Sequence, residues 1–403
     1  YEMIGHVIGQ SYTAQLRNWC RAHGGRFSGH YFGEEMLVDH VRSYGNMLSV
    51  QRQSDYPGMD ILACWPEGYF PQDAKYVQMA ARKCGSNGFM AEVCPFDNPE
   101  EFGKAPFDNL LATMGLNYIS GVRTTQSYAE ADFSAFGDGR FRDFLPRNQD
   151  MFGQVRKYFD RAQMRQLNAY VGRMGLLLDG LQNQCTTVLY FGIEDVQAKY
   201  TPKHDCEVGA QAIGCDLATL RLLRAMLDEG RDFLFADAED LTEIARTDRL
   251  GGEEIRRILL PGLDVIRPEA LAALRQLKKA GVCVLFAEKL PHIDALSGQQ
   301  LQLAGEFEAV SVQEAVQIPD TQEPQFKTLS GPIVRQARYR TRDSKSMFFL
   351  LNPGRTESVV RLPGADARRC TALDPFTGTI TQERLNRDWT VPAVRGIFII
   401  IEE

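Results

Sequence analysis

The stretch Arg26-Phe27-Ser28-Gly29-His30-Tyr31-Phe32-Gly33-Glu34-Glu35 decides how the rest of the chain is read. Apolar and aromatic residues run up to a glycine and two adjacent carboxylates, the pattern of a short strand with polar groups at its end. In a (β/α) barrel, side chains at the carboxyl end of a strand point into a shared mouth, where polar groups serve chemistry more often than stability. A second stretch, Asn87-Gly88-Phe89-Met90-Ala91-Glu92-Val93-Cys94, also runs apolar, meets one glutamate and passes into a loop of Pro95, Asp97, Asn98 and Pro99. Two strand-end carboxylates on separate strands are what cleavage of a glycosidic bond needs. One protonates the leaving oxygen, and the other acts as base or nucleophile at the sugar carbon.

Working outward, residues 1–24 place Ile4, Val7, Ile8, Tyr12, Leu16 and Trp19 at helical spacing, ending at His23-Gly24-Gly25. After Glu35 the order is a helix (36–48), the turn Tyr56-Pro57-Gly58, a strand (59–65), a helix (75–84), the strand 88–93, a helix (107–114), a strand (116–122), a long helix (148–181) and a strand (186–191). Residues 98–109 read as a loop over the mouth. Five strands alternating with helices imply parallel βαβ units, and three more would close an eightfold barrel. The expectation is therefore the carboxyl-terminal part of a (β/α)8 barrel over 1–205. Over 206–330 shorter strands at 232–235, 257–260, 282–286 and 307–312 alternate with helices, as in a small doubly wound, flavodoxin-like domain, with 318–332 as a linker. Over 331–403 the period switches to two, with turns at Asn352-Pro353-Gly354, Pro363-Gly364 and Pro375-Phe376-Thr377-Gly378. That pattern predicts a C-terminal β-sandwich.

Composition narrows the function. The 403 residues are 44% hydrophobic and 24% charged, with no apolar run near the ~20 residues of a membrane span, so a membrane role is excluded. A net charge of −7 without a Lys/Arg cluster excludes nucleic acid, which demands a basic face. Nine cysteines without a C-x-x-C pair point to free thiols in a reducing, cytoplasmic setting. No phosphate loop, G-x-G-x-x-G strand end, G-x-S-x-G or cysteine elbow is present, so nucleotide binding and amidotransferase chemistry lack support. A neutral carbohydrate is the expected partner, alongside a homo-oligomer of the chain itself.

Glu34 and Glu92 are accordingly the catalytic candidates, with Glu34 as general acid, and His30, Glu35, Trp65 and Tyr118 are candidates for substrate binding. Either carboxylate of the Glu34-Glu35 pair would also complement the start of the next helix. Trp65 ends its strand and could stack on a sugar face, although it suits a core equally well. Asp60 opens its strand, on the side opposite the mouth, and reads as structural. No histidine shows metal-ligand spacing.

The order Gly29-His30-x-x-x-Glu34, Tyr56-Pro57-Gly58-Met59-Asp60, a helix with Lys75 and Ala80-Ala81, then Gly85, Glu92 and Gly115-x-Asn117 resembles large bacterial glycoside hydrolases related to the α-L-rhamnosidases. The resemblance implies a barrel, a β-galactosidase-trimerisation-like α/β domain and a β-sandwich, with glutamate acid/base catalysis on a terminal sugar. It matches Glu34 to the family's glutamate after Gly-His and Glu92 to its later strand-end glutamate. It also implies calcium, for which no loop is legible here. The first barrel strands are absent, and Arg123-Thr124-Thr125-Gln126-Ser127-Tyr128 stands where relatives carry a loop rich in His or Tyr. A non-catalytic carbohydrate-binding or assembly module from a truncated glycosidase is the alternative expectation.

Overall fold

Four parallel strands form the first sheet in chain order: β1 (Ser28–Gly29), β2 (Tyr56–Ile61), β3 (Phe89–Val93) and β4 (Val122–Ser127). The computed structural model describes residues 1–61, 63–93, 99–127, 159–202, 210–317 and 324–402. Helices α1 (Glu2–Ile8) and α2 (Ala14–Ala22) flank a π-helical turn and precede β1, and α3 (Leu37–Tyr44) and α4 (Met47–Gln51) lead into β2. Proline at the first helical position and glycine just past the end bound the next long helices. Thus α5 (Pro71–Cys84) stops at Gly85, and α7 (Pro106–Ser120) stops at Gly121, whose φ of 112° no side-chain-bearing residue adopts at ease. Between them, α6 (Pro99–Lys104) makes part of the expected mouth loop helical. Helix α8 (Arg161–Leu178) is what the structure describes of the long helix expected over 148–181, and its Asp160/Gln163 capping box fixes its start.

Two expected strands are placed differently. Residues 116–120 belong to α7, and the strand begins at Val122, beyond Gly121. The strand at 186–191, expected as the fifth of the barrel, is β5 (Thr187–Tyr190), and it pairs with strands of the second sheet. That sheet therefore draws on chain before the boundary expected at 205. It contains β5, β6 (Leu234–Ala236), β9 (Arg257–Leu260), β11 (Cys283–Ala287) and β13 (Ala309–Val310) in the order β13-β11-β9-β5-β6, all parallel. Counted along the chain this is the doubly wound order 2-1-3-4-5. Apolar clusters cover both its faces, which is why Val284, Leu285 and Phe286 form an unbroken apolar run. Two short ribbons complete the region: β7 (Arg249–Leu250) with β8 (Glu253–Glu254), and β10 (Val265–Ile266) with β12 (Ile293–Asp294).

The C-terminal region is antiparallel. One sheet orders β15 (Arg335–Arg340), β16 (Ser346–Asn352), β21 (Arg395–Ile401), β18 (Arg369–Asp374) and β19 (Thr379–Arg384). The other orders β14 (Lys327–Ser330), β17 (Ser358–Arg361) and β20 (Trp389–Val391). The expected linker thus contains a strand, while 318–323 lie outside the described residues. Phe348, Leu350 and Ile399 face the smaller sheet, and Met347, Phe349, Leu351 and Phe398 join the core built on α7, α8 and the first sheet. Gly115 lets α7 approach β16 closely, because a Cβ there would lie 2.5 Å from the Leu351 methyl. Buried Lys75 of α5 ties the first sheet's layer to the second sheet, donating to Asp232 at 2.5 Å and to the Phe233 carbonyl at 3.0 Å.

Candidate active site

The loop after β1 is held from several directions. Oε1 of Glu34 accepts the Tyr31 backbone N–H at 2.7 Å, and Oε2 accepts the Asp60 backbone N–H from β2 at 2.8 Å. Gln51 leans in from α4, its amide 3.5 Å from Oε1 and 3.3 Å from the Gly58 carbonyl. His40, buried on α3, donates its Nε2–H to the Glu34 carbonyl at 2.8 Å, and burial holds its imidazole down to about 4. It is therefore a neutral donor. The Phe32 N–H donates to the Tyr44 hydroxyl at 3.2 Å. These contacts leave Glu34 only 3% exposed.

His30 connects this loop to β3. Its Nε2 lies 3.2 Å from Oε2 of Glu92, and its Nδ1 faces Oε1 of Glu34 at 3.9 Å without a hydrogen-bond partner. Across one imidazole ring, the two glutamate oxygens are at most about 9 Å apart, a spacing compatible with two-carboxylate sugar cleavage. Glu92 keeps 17% of its side chain exposed and His30 31%, so this edge of the group meets solvent.

Burial pushes the Glu34 carboxyl well above the usual carboxylate range, outweighing its two backbone donors, and the charges of Glu35 and Asp60 push the same way. Asp73, in the first turn of α5, is raised likewise by burial and then by Glu35 and Glu34, and its Oδ1 has no hydrogen-bond partner. Glu34, Glu35, Asp60 and Asp73 therefore form one electrostatic cluster that favours retained protons.

His30, Glu34, Glu35 and Glu92 are thus brought together. Trp65 lies in the loop after β2, partly exposed, with its ring over Gly68, where a Cβ would come within 2.3 Å of it. Tyr118 is elsewhere. It sits on α7 at 1% exposure, edge-on to Tyr170 with ring centroids 6.3 Å apart, in the core rather than at the mouth. Asp60 corrects the sequence reading in the other direction. Because β2 starts at Tyr56, Asp60 stands near its carboxyl end, in register with Glu92. Asp73, Gln51 and His40 were also missed, and only the acidic first helical turn gave a sequence signal for any of them. Cys94 and the loop residues Pro95, Asp97 and Asn98 lie outside the described residues. Among the described residues no three His, Cys, Asp or Glu side chains are grouped to hold a metal, so the calcium implied by resemblance has no donor set there. No helix among them is long and apolar enough to cross a membrane.

No family model matches the chain, and no curated protein matches it by sequence. Solved structures match its fold. A rhamnosidase from Novosphingobium sp. PP1Y superposes with a TM-score of 0.61 at 16% identity, over 99% of this chain and 39% of that one. The alpha-L-fucosidase isoenzyme 2 from Paenibacillus thiaminolyticus gives 0.56 at 12% identity, over 97% and 70%. A GH42 beta-galactosidase from G. stearothermophilus gives 0.53 at 9%, over 88% and 60%. The chain spans about two fifths of the rhamnosidase's length. At these identities the likeness is one of fold: a mixed α/β chain with parallel sheets and a strand-rich C-terminal region, built as in glycoside hydrolases.

Proposed function

We propose that this protein is a glycoside hydrolase that removes a terminal sugar from an oligo- or polysaccharide with a pair of carboxylates, Glu92 acting as base or nucleophile and Glu34 as its proton-holding partner. One observation carries the reading: His30 stands between two glutamates from different strands, 3.2 Å from one and 3.9 Å from the other. Support also comes from the raised Glu34 carboxyl, since a group that keeps its proton near neutral pH is what the acid step requires. In this reading the four parallel strands contribute to a (β/α) barrel, the second sheet to a flavodoxin-like domain and the C-terminal sheets to a β-sandwich. The rhamnosidase match over nearly the whole chain favours the rhamnosidase-related branch of such enzymes.

A second reading, a non-catalytic carbohydrate-binding or assembly module, is favoured by the enclosure of Glu34, both of whose oxygens already accept backbone donors. A panel of nitrophenyl glycosides offered to wild type, Glu34→Gln and Glu92→Gln separates the two. Turnover by wild type that collapses in the variants supports hydrolysis. Sugar binding measured by calorimetry with no turnover by any of them supports the module.

A further inference from the structure

Glu34 is buried and its oxygens are engaged, so the group that touches the departing oxygen has to be sought nearer Glu92. Asp60 and Glu92 are register partners on the adjacent parallel strands β2 and β3, and register partners project from the same face of a sheet. Each is the partly exposed residue between buried neighbours, Met59 and Ile61 on β2 and Ala91 and Val93 on β3. Gln126 of β4 continues the row. Neighbouring strands run about 4.8 Å apart. Retaining glycosidases hold their two carboxyl groups about 5–5.5 Å apart, whereas inverting ones leave roughly 6.5–9.5 Å for a water.

We infer that Asp60 is the residue that hands its proton to the departing glycosidic oxygen, opposite Glu92 as nucleophile, with retention of configuration; the inference rests on the glycosidase reading above. His30 Nε2, at 3.2 Å, positions the Glu92 carboxylate. An oxygen of Glu92 bonds to the anomeric carbon as the bond from that carbon to the departing oxygen breaks. The Asp60 proton goes to that oxygen, which leaves as an alcohol. Water then attacks the same carbon and gives its proton to the Asp60 carboxylate. The ester bond to Glu92 breaks, its electrons return to the glutamate, and a reducing sugar leaves with both residues restored. Glu34, whose Oε2 accepts the Asp60 backbone N–H at 2.8 Å, lies behind the pair and holds β2 and the β1 loop in place.

The test uses the full-length protein, Asp60→Asn and Glu34→Gln on two glycosides of the sugar that the wild type cleaves best, one with a dinitrophenyl and one with a methyl leaving group. An activated phenol leaves without a proton and an alkoxide does not. Asp60→Asn is therefore expected to lose about 100-fold or more in kcat/KM on the methyl glycoside, and less than about 10-fold on the activated one. This ratio does not depend on how much of the variant folds. Nuclear magnetic resonance of the first-formed sugar is expected to show the starting anomer. Equal losses on the two substrates in Asp60→Asn, the leaving-group-dependent loss appearing in Glu34→Gln instead, or an inverted product would overturn the inference and leave the hydrolase reading standing. A wild type that cleaves no glycoside would remove the hydrolase reading, and this inference with it.

Discussion

Both oxygens of Glu34 accept backbone N–H groups, one from its own loop and one from β2, and its carbonyl accepts His40. Removing that carboxyl strands buried donors, each costing about 1–3 kcal/mol. Glu34→Ala is therefore expected to lower the unfolding free energy in urea by roughly 2–4 kcal/mol. Glu92→Gln, which is partly exposed, should change it by less than about 1 kcal/mol. Equal stability of Glu34→Ala and wild type would refute this anchoring role. Glu194 makes a different point. It is buried at the carboxyl end of the second sheet, accepts the Tyr190 hydroxyl at 2.6 Å, and is pushed by burial from its ordinary 4.5 to about 7. Between those values the folded chain keeps a proton that the unfolded chain has released, so the stabilisation is full below pH 4.5 and lost as pH rises to about 7. The wild type is expected to lose roughly 3 kcal/mol more than Glu194→Gln between pH 4.5 and 8, read from urea midpoints at each pH. Parallel pH profiles for the two proteins would show that the group does not titrate in this window.

Helix α7 is the element whose surroundings the sequence conceals. It is buried from Asn109 to Ser120 because the first sheet's layer covers one side and β16 the other, and an element apolar all round carries no period to identify it. Residues 116–120 therefore pass for a strand, and Tyr118 for a strand-end residue. Gly115→Val should lower stability by about 1–3 kcal/mol, because its side chain would collide with fully buried Leu351. An unchanged denaturation midpoint would mean that α7 and β16 can separate at little cost. Much else was legible. The apolar run into Gly29-His30 and the glutamate in Phe89-Met90-Ala91-Glu92 placed three of the gathered side chains at strand ends. Asp60 was hidden because Pro57-Gly58 reads as a turn, whereas Pro57 occupies the second position of β2, beside a β1 only two residues long. The sheet that β5 joins is set by pairing with β6 and β9, far along the chain, and no local pattern encodes that.

At the scale of the whole molecule, the first sheet, α7, α8 and one face of the C-terminal five-stranded sheet share a single apolar core, in which Phe349 stacks on Phe398 with centroids 4.5 Å apart. Arg355, from the turn after β16, reaches the loop after β2, donating to Glu67 at 3.3 Å and to Asn109 at 2.7 Å. A chain ending at residue 323 would expose the face of α7 that Met347, Phe349 and Leu351 cover. It is expected to lose the cooperative thermal transition of the full protein, and calorimetry showing an unchanged transition would mean that the N-terminal part folds independently. This shared core keeps the ends of β1, β2 and β3 in fixed relation, so that residues 30, 34, 60 and 92 meet at one mouth. The most direct measurement of whether that meeting serves chemistry is kcat/KM for the best-cleaved nitrophenyl glycoside, wild type against Glu92→Gln, from pH 4 to 9. The predicted result is measurable wild-type turnover and a loss of at least about 100-fold in the variant at every pH. Equal rates for the two proteins, or no release of nitrophenol by the wild type from any glycoside, would contradict it.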